Sequence, residues 1–127
     1  MGLRDLLKRE RNGGVGTVSD PVEQDRVVLE QLSAAGADLT QAREVVHYIH
    51  LPSREAAEAF APMVVNQGYE PDIREPGPES ADDPRPWTVA ATTHSVVTEQ
   101  SVATARRSFT ELAAEYGGVY DGWEAAV

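Results

Sequence analysis

The end of the chain most constrains how it can fold. A helical pattern reaches Tyr116, and the pair Gly117-Gly118 then stops it. A short run of strand-forming character follows from Val119 to Trp123. Four of the eight aromatic residues lie between Phe109 and Trp123. Because aromatic side chains bury large areas, we expect this end to pack against the elements that precede it.

The helix before this run has the most regular apolar spacing in the sequence. Thr98 is a suitable N-cap residue. Apolar side chains then recur at intervals of three, four, three and four residues, at Val102, Ala105, Phe109, Leu112 and Tyr116. This spacing places them on one face of an α-helix. We therefore expect a helix of about five turns that buries this face.

Two segments are predicted to form the inner strands of a sheet. The runs Arg43–Leu51 and Trp87–Val97 are rich in β-branched residues, and the first has apolar residues on both faces. Tyr69–Arg74 reads as an edge strand, because Pro71 has no N–H to donate to a neighbouring strand. The run from Val119 to Trp123 is expected at the opposite edge.

Two more helices are predicted from their end signals. Asp20-Pro21 begins the first and Gly36 ends it, whereas Ser53 caps the second and Gly68 closes it. Pro62 lies inside the second helix, so a kink or two short pieces are expected there. The expected buried residues are Val22, Val28 or Leu29, Leu32 and Ala35 in the first helix, and Ala56, Phe60, Met63 and Val64 in the second.

After the leading helix, the order of elements is β-α-β-β-α-β. Two right-handed split βαβ units with this order predict an α+β fold, namely a ferredoxin-like antiparallel four-stranded sheet. Both later helices are expected on one face of the sheet. The extra N-terminal helix is expected to cover part of the other face.

The charge is distributed unevenly along the chain. The net charge is −10, yet residues 1–12 hold four basic and two acidic groups. We interpret residues 1–19 as a basic flexible arm with a glycine-rich linker, and residues 20–127 as a single domain. An acidic body disfavours direct nucleic-acid binding and suits a basic protein partner. The absence of cysteine and of a long apolar run predicts a cytoplasmic protein without membrane association.

Three histidines invite a catalytic or metal-binding interpretation. His47 and His50 fall on opposite faces of their strand, so they do not readily share a metal ion. His94 lies on a neighbouring strand and is able to meet one of them. We expect structural histidines, with no catalytic residue, metal site or cofactor, and so no enzymatic activity. The alternative is a small-ligand or metal-dependent enzyme that uses the sheet face near His47 and His94.

Several motifs resemble the regulator of ribonuclease activity B family. They are Ala34-Ala35-Gly36-Ala37-Asp38-Leu39, His47-Tyr48-Ile49-His50, Gln67-Gly68-Tyr69-Glu70 and, most specifically, Tyr116-Gly117-Gly118-Val119-Tyr120-Asp121-Gly122-Trp123-Glu124. The resemblance covers roughly Val22 to Val127. It implies a ferredoxin-like fold and a non-enzymatic protein that binds an endoribonuclease of the ribonuclease E type and inhibits or modulates it.

The partner-binding residues predicted within the closing run are Tyr120, Asp121, Gly122 and Trp123. An edge strand offers free backbone groups to a partner, and tyrosine and tryptophan are frequent interface anchors. The alternative is that Tyr120 and Trp123 lie on different faces and one of them packs into the core. The chain is expected to be a monomer or a homodimer, and a further alternative is a general homodimeric module that pairs through an open sheet face.

Overall fold

A computed structural model describes residues 21–127, which form a mixed α/β fold with three α-helices and a four-stranded antiparallel sheet. The basic arm predicted for residues 1–19 lies outside the described residues. In chain order, the elements are α1 (Pro21–Ala34), β1 (Arg43–Leu51), α2 (Arg54–Asn66), β2 (Glu70–Arg74), β3 (Trp87–Ser95), α3 (Glu99–Glu115) and β4 (Val119–Ala125). A single 3₁₀ turn, Pro78–Ser80, lies in the proline-rich loop between β2 and β3.

The strands lie in the order β2-β3-β1-β4. The two long strands β1 and β3 are therefore inside the sheet, and β2 and β4 form its edges, as their sequences predict. Strand β2 runs antiparallel to β3, with Glu70 opposite Thr92 and Arg74 opposite Thr88. Pro71, which cannot donate a backbone hydrogen bond, lies in the edge strand β2.

At the start of two helices, side-chain hydroxyl oxygens accept hydrogen bonds from backbone N–H groups. The Ser53 hydroxyl accepts a bond from the N–H of Ala56 and caps α2. Thr98 and Ser101 cap α3 reciprocally, because each backbone N–H donates to the other residue's hydroxyl oxygen at 2.9 Å. Such bonds satisfy N–H groups that have no partner within the helix.

The three helices end in the same way. A glycine with positive φ follows each of them, at Gly36, Gly68 and Gly117. At the end of α3, the N–H of Gly118 donates to the carbonyl of Ala113 at 2.8 Å. Equivalent bonds close the other two helices, so all three have Schellman-type ends. The glycines that the sequence marks as helix stops therefore have this role.

The buried faces of the helices follow the predicted spacing with local corrections. On α3, the residues Val102, Ala105, Phe109 and Leu112 are buried, and Tyr116 is half-buried. Helix α2 is one uninterrupted helix that contains Pro62, so of the two outcomes expected there, a kink or two short pieces, the second is wrong. Its fully buried residues are Ala57, Phe60 and Val64, whereas Met63 is half-buried. Ala35 is exposed, because α1 already ends at Ala34.

The contacts divide the described chain into two compact units. The larger one comprises residues 46–93 and 106–123. Its buried apolar side chains come from three of its strands and from two helices, and the largest are Trp123, Phe60, Phe109, Ile49 and Leu51. Within it, the rings of Phe60 on α2 and Tyr116 after α3 meet edge to face at 5.8 Å, so these two helical segments are packed together.

The smaller unit contains the described part of residues 1–45, with residues 94–105 and 124–127. Val28, Leu32, Val45 and Val102 are buried in it. Arg43 is also buried, and its guanidinium donates to the carbonyls of Ala126 and Asp38. These bonds tie the start of β1 to the segment that follows β4.

Candidate protein-binding site

Strand β4 carries the four residues predicted to contact a partner, and it lies at an edge of the sheet. No other strand of residues 21–127 lies beyond it. The four residues differ in accessibility, because Trp123 is only 1% exposed and Gly122 is buried. Tyr120 and Asp121 are half-buried. Side chains accessible to a partner therefore come from Tyr120 and Asp121, while Trp123 belongs to the core.

The side chains of β4 do not alternate regularly. Gly122 has a φ of 126°, a conformation that other residues rarely adopt. On either side of it, Tyr120 and Trp123 both approach the ring of His47, with centroid distances of 5.8 and 6.5 Å. The expectation that these two aromatics lie on different faces is therefore wrong. A glycine with positive φ interrupts the alternation of side chains along an edge strand and so changes the direction in which its neighbours point.

His47 lies at the centre of an aromatic cluster. Its ring centroid is 5.3 Å from that of Phe109 and 5.6 Å from that of Tyr69, and its Nδ1 is 2.8 Å from the Tyr120 hydroxyl. Burial, together with the positive charge of Arg106, lowers the pKa of His47 from 6.5 to about 3. The imidazole is therefore neutral near pH 7. A buried histidine with so low a pKa is a poor general base.

Tyr120 connects this cluster to a cationic side chain at the surface. Its ring stacks against Phe109 at 6.4 Å with an interplanar angle of 6°. The guanidinium carbon of Arg106 lies 5.3 Å from the centre of the Tyr120 ring, within the range of a cation–π contact. Both residues are half-buried. Tyrosine and arginine held in this way are typical of the residues that dominate binding energy at protein interfaces.

Asp121 belongs to a chain of hydrogen bonds that crosses three strands. Its Oδ2 is 2.8 Å from Nε2 of His50, and Nδ1 of His50 is 3.0 Å from the Thr88 hydroxyl. All three residues are half-buried. This chain links the edge strand β4 to β1 and β3, and it holds the carboxylate of Asp121 in a defined position.

Sequence reasoning missed the link between Asp121 and His50. The sequence marks His50 as part of a family motif and as the histidine on the face opposite His47. In the structure, His50 is indeed bonded to residues other than those around His47. The expected strand order was the feature from which the contact between Asp121 and His50 could have been predicted. Neighbouring positions for β3, β1 and β4 allow Thr88, His50 and Asp121 to form one row.

The structure gives no support to a metal site among the described residues. Within residues 21–127, no group of three or more histidine, aspartate or glutamate side chains is arranged to hold a metal ion. His94 is exposed near the end of β3. In the same part of the chain, no helix is both long and apolar enough to cross a membrane.

The fold and the site define a small α/β protein with an aromatic and acidic run on its last edge strand. Residues 22–125 match the family model described as Regulator of ribonuclease activity B, and the chain belongs to this family. The resemblance predicted from the sequence is thus confirmed. Membership implies the regulation of ribonuclease activity, and the family is one of regulators rather than a known enzyme family. No curated protein matches the chain.

Proposed function

We propose that this protein binds an endoribonuclease of the ribonuclease E type and inhibits or otherwise modulates its cleavage of RNA. The family match over residues 22–125 carries this proposal. The net charge of −10 supports a protein partner with a basic surface and disfavours direct binding to RNA. In this role the protein needs neither a catalytic group nor a cofactor.

The binding site in this proposal is the edge formed by Tyr120, Asp121, Gly122 and Trp123. Tyr120 with Arg106 supplies an aromatic and cationic contact, and Asp121, held by His50, supplies an acidic one. Because β4 is an edge strand of the sheet formed by residues 21–127, an extended segment of the partner is expected to bind along this strand. Buried Trp123 and Gly122 maintain the shape of this edge instead of contacting the partner through their side chains.

The family domain spans residues 20–127 in the ferredoxin-like arrangement, a proposal that the strand order β2-β3-β1-β4 supports. The protein acts in the cytoplasm as a monomer or a homodimer, and light scattering on the purified chain distinguishes these two states.

The function is tested with the purified full chain and the ribonuclease E-type enzyme of its own host. We expect direct binding by calorimetry and a changed rate of cleavage of a labelled RNA. If the chain neither binds the enzyme nor changes RNA cleavage, the proposed function is wrong. A catalytically inactive ribonuclease is a useful second ligand, because it separates binding from cleavage.

The site is tested with Val119→Lys and Asp121→Asn, and Val96→Lys is the control. Val119 and Val96 are 43% and 41% exposed, so lysine fits at either position without disturbing the core. We expect the two changes on β4 to weaken binding about tenfold or more, as changes at interface anchors do. If they bind as well as Val96→Lys, the site is wrong but the function stands.

Trp123→Ala separates folding from binding at the same edge. Trp123 is among the largest fully buried side chains, so its removal should lower the free energy of unfolding by about 3–5 kcal/mol. Denaturant unfolding measures this loss. A variant of unchanged stability would contradict the placement of Trp123 in the core.

A further inference from the structure

A groove on the larger unit lies apart from the β4 residues of the proposed binding site. It runs between helix α2 and the edge strand β2, and its volume is about 550 Å³. The residues that line it are Glu58, Ala61, Pro62, Val65, Asn66, Pro71 and Ile73. Because the groove is open to solvent over most of its extent, it suits a segment that lies across the surface better than an enclosed small molecule.

Most of the residues that line the groove are apolar. Pro71 and Ile73 are the half-buried members of β2, while the other residues of this strand are exposed. Val65 is 56% exposed, although it is an apolar residue on a packed helix. Contiguous apolar surface that water still reaches favours association with another apolar surface.

Glu58 and Asn66 are the polar residues that line the groove, and Glu58 brings hydrogen-bond acceptors to it. Pro62 has no N–H, so the carbonyl of Glu58, four residues earlier, lacks the donor that a helix normally supplies. Within residues 21–127, the carboxylate of Glu58 makes a long and exposed pair with Arg54, at 3.5 Å, and such pairs contribute little. Two acceptors at one residue favour a ligand that brings donors.

The surroundings of the groove are acidic. Residues 54–74, from the start of α2 to the end of β2, contain four acidic and two basic residues. Both basic residues have acidic partners, since Arg54 pairs with Glu58 and Arg74 pairs with Asp72. The local charge therefore attracts a cationic ligand and repels an anionic one.

We propose that this α2–β2 groove is a docking site for an amphipathic segment of a partner protein. The segment carries apolar side chains on one face, with lysine or arginine beside them. The apolar side chains lie against Val65, Pro71 and Ile73, and a cationic group binds at Glu58. The surface is separate from the β4 edge, and it does not depend on which ribonuclease the protein regulates.

A designed pair of peptides tests this proposal on the full chain. One is a helical peptide of about 14 residues made of leucine and lysine, and the other has glutamate in place of every lysine. Anisotropy of the labelled peptides measures affinity. We expect the lysine peptide to bind and the glutamate peptide to bind at least about tenfold more weakly; equal binding of the two peptides would overturn the proposal.

Val65→Glu separates groove binding from general attraction to an acidic protein. The change adds a negative charge, so attraction alone would strengthen binding of the lysine peptide. Loss of the apolar contact should instead weaken binding about tenfold. Val96→Glu is the matched control, because Val96 is 41% exposed and lies outside the groove; it should leave binding unchanged or slightly tighter.

Two more variants test the apolar contact and the carboxylate of the groove separately. Val65→Ser removes the apolar surface without adding charge, and it replaces Val65→Glu if that variant fails to fold. Glu58→Gln should weaken binding of the lysine peptide several-fold, because it removes the carboxylate and keeps the side-chain size. Unchanged affinity in Val65→Ser, or equal losses in Val65→Glu and Val96→Glu, would assign the binding to another surface.

Discussion

His47 is surrounded by aromatic rings and not by water, and this environment determines its chemistry. It is 2% exposed and contacts Tyr69, Phe109, Tyr120 and Trp123. Because the charged imidazolium would lose its hydration there, the neutral form is favoured. The Tyr120 hydroxyl supplies the hydrogen-bond partner that a buried imidazole nitrogen needs.

The lowered pKa of His47 predicts acid sensitivity. Its pKa is about 3 in the folded protein, against 6.5 for an ordinary histidine, so below pH 6.5 the unfolded chain binds a proton that the folded chain does not. The contribution of neutral His47 to the free energy of unfolding is therefore fully present above pH 6.5. It decreases by about 1.4 kcal/mol per pH unit as the pH falls towards 3.

The measurement is urea unfolding of the natural chain and His47→Gln at several values between about pH 7 and pH 5. Glutamine retains a hydrogen-bonding group near Tyr120 but does not titrate in this range. We expect the variant to be less stable at neutral pH and to lose less stability on acidification. Parallel pH profiles for the two proteins would show that His47 is protonated in the folded state.

At the scale of elements, the turn between α3 and β4 determines where the edge strand begins. Gly117 has a φ of 73°, which ends the helix. Gly118 then passes close to β1, since a Cβ built on it would lie 2.7 Å from the His50 carbonyl oxygen and 2.8 Å from Leu51 Cδ2. A side chain at position 118 would therefore push β4 away from β1.

Gly118→Ala should consequently destabilise the protein by about 1–3 kcal/mol or more, as overpacking does. Gly36→Ala is the comparison, because no atom lies within 4 Å of a Cβ at Gly36 and only its φ of 93° opposes the change. We expect Gly118→Ala to be the less stable variant in thermal unfolding. The reverse order would mean that β4 moves away from β1 at little cost.

The elements also differ in how well sequence patterns predict them. The buried face of α3 and the glycine stops of the helices depend on neighbours within a few residues, so spacing and end signals were sufficient. The faces of β4 were mispredicted, because the positive φ of Gly122 interrupts the alternation. In β4, the pair Asp-Gly was the only local hint of such an irregularity.

At the scale of the whole molecule, charge is the dominant feature. A net charge of −10 on 127 residues should accelerate association with a basic surface and leave dissociation less affected. For the proposed ribonuclease complex, we expect the association rate to fall about tenfold between low and high salt. Stopped-flow mixing at several ionic strengths measures it, and the dissociation rate in the same experiments is the internal control.

An association rate that does not change with salt would contradict this prediction. In that case the contact would depend on apolar and backbone groups, such as those of β4, and not on long-range attraction. A salt-independent rate would not contradict the existence of the complex. The proposed function and the role of charge in association are therefore tested separately.

Local elements could be predicted from the sequence: the apolar face of α3, the ends of the helices, the two inner strands and the family signature that ends at Glu124. Which side chains of different strands meet became known from the folded structure. It placed Asp121 against His50 and Thr88, and it enclosed His47 among rings from distant segments. The physical reason is range: helix ends and apolar periodicity arise from nearby residues, whereas burial and strand pairing depend on residues far apart in the chain.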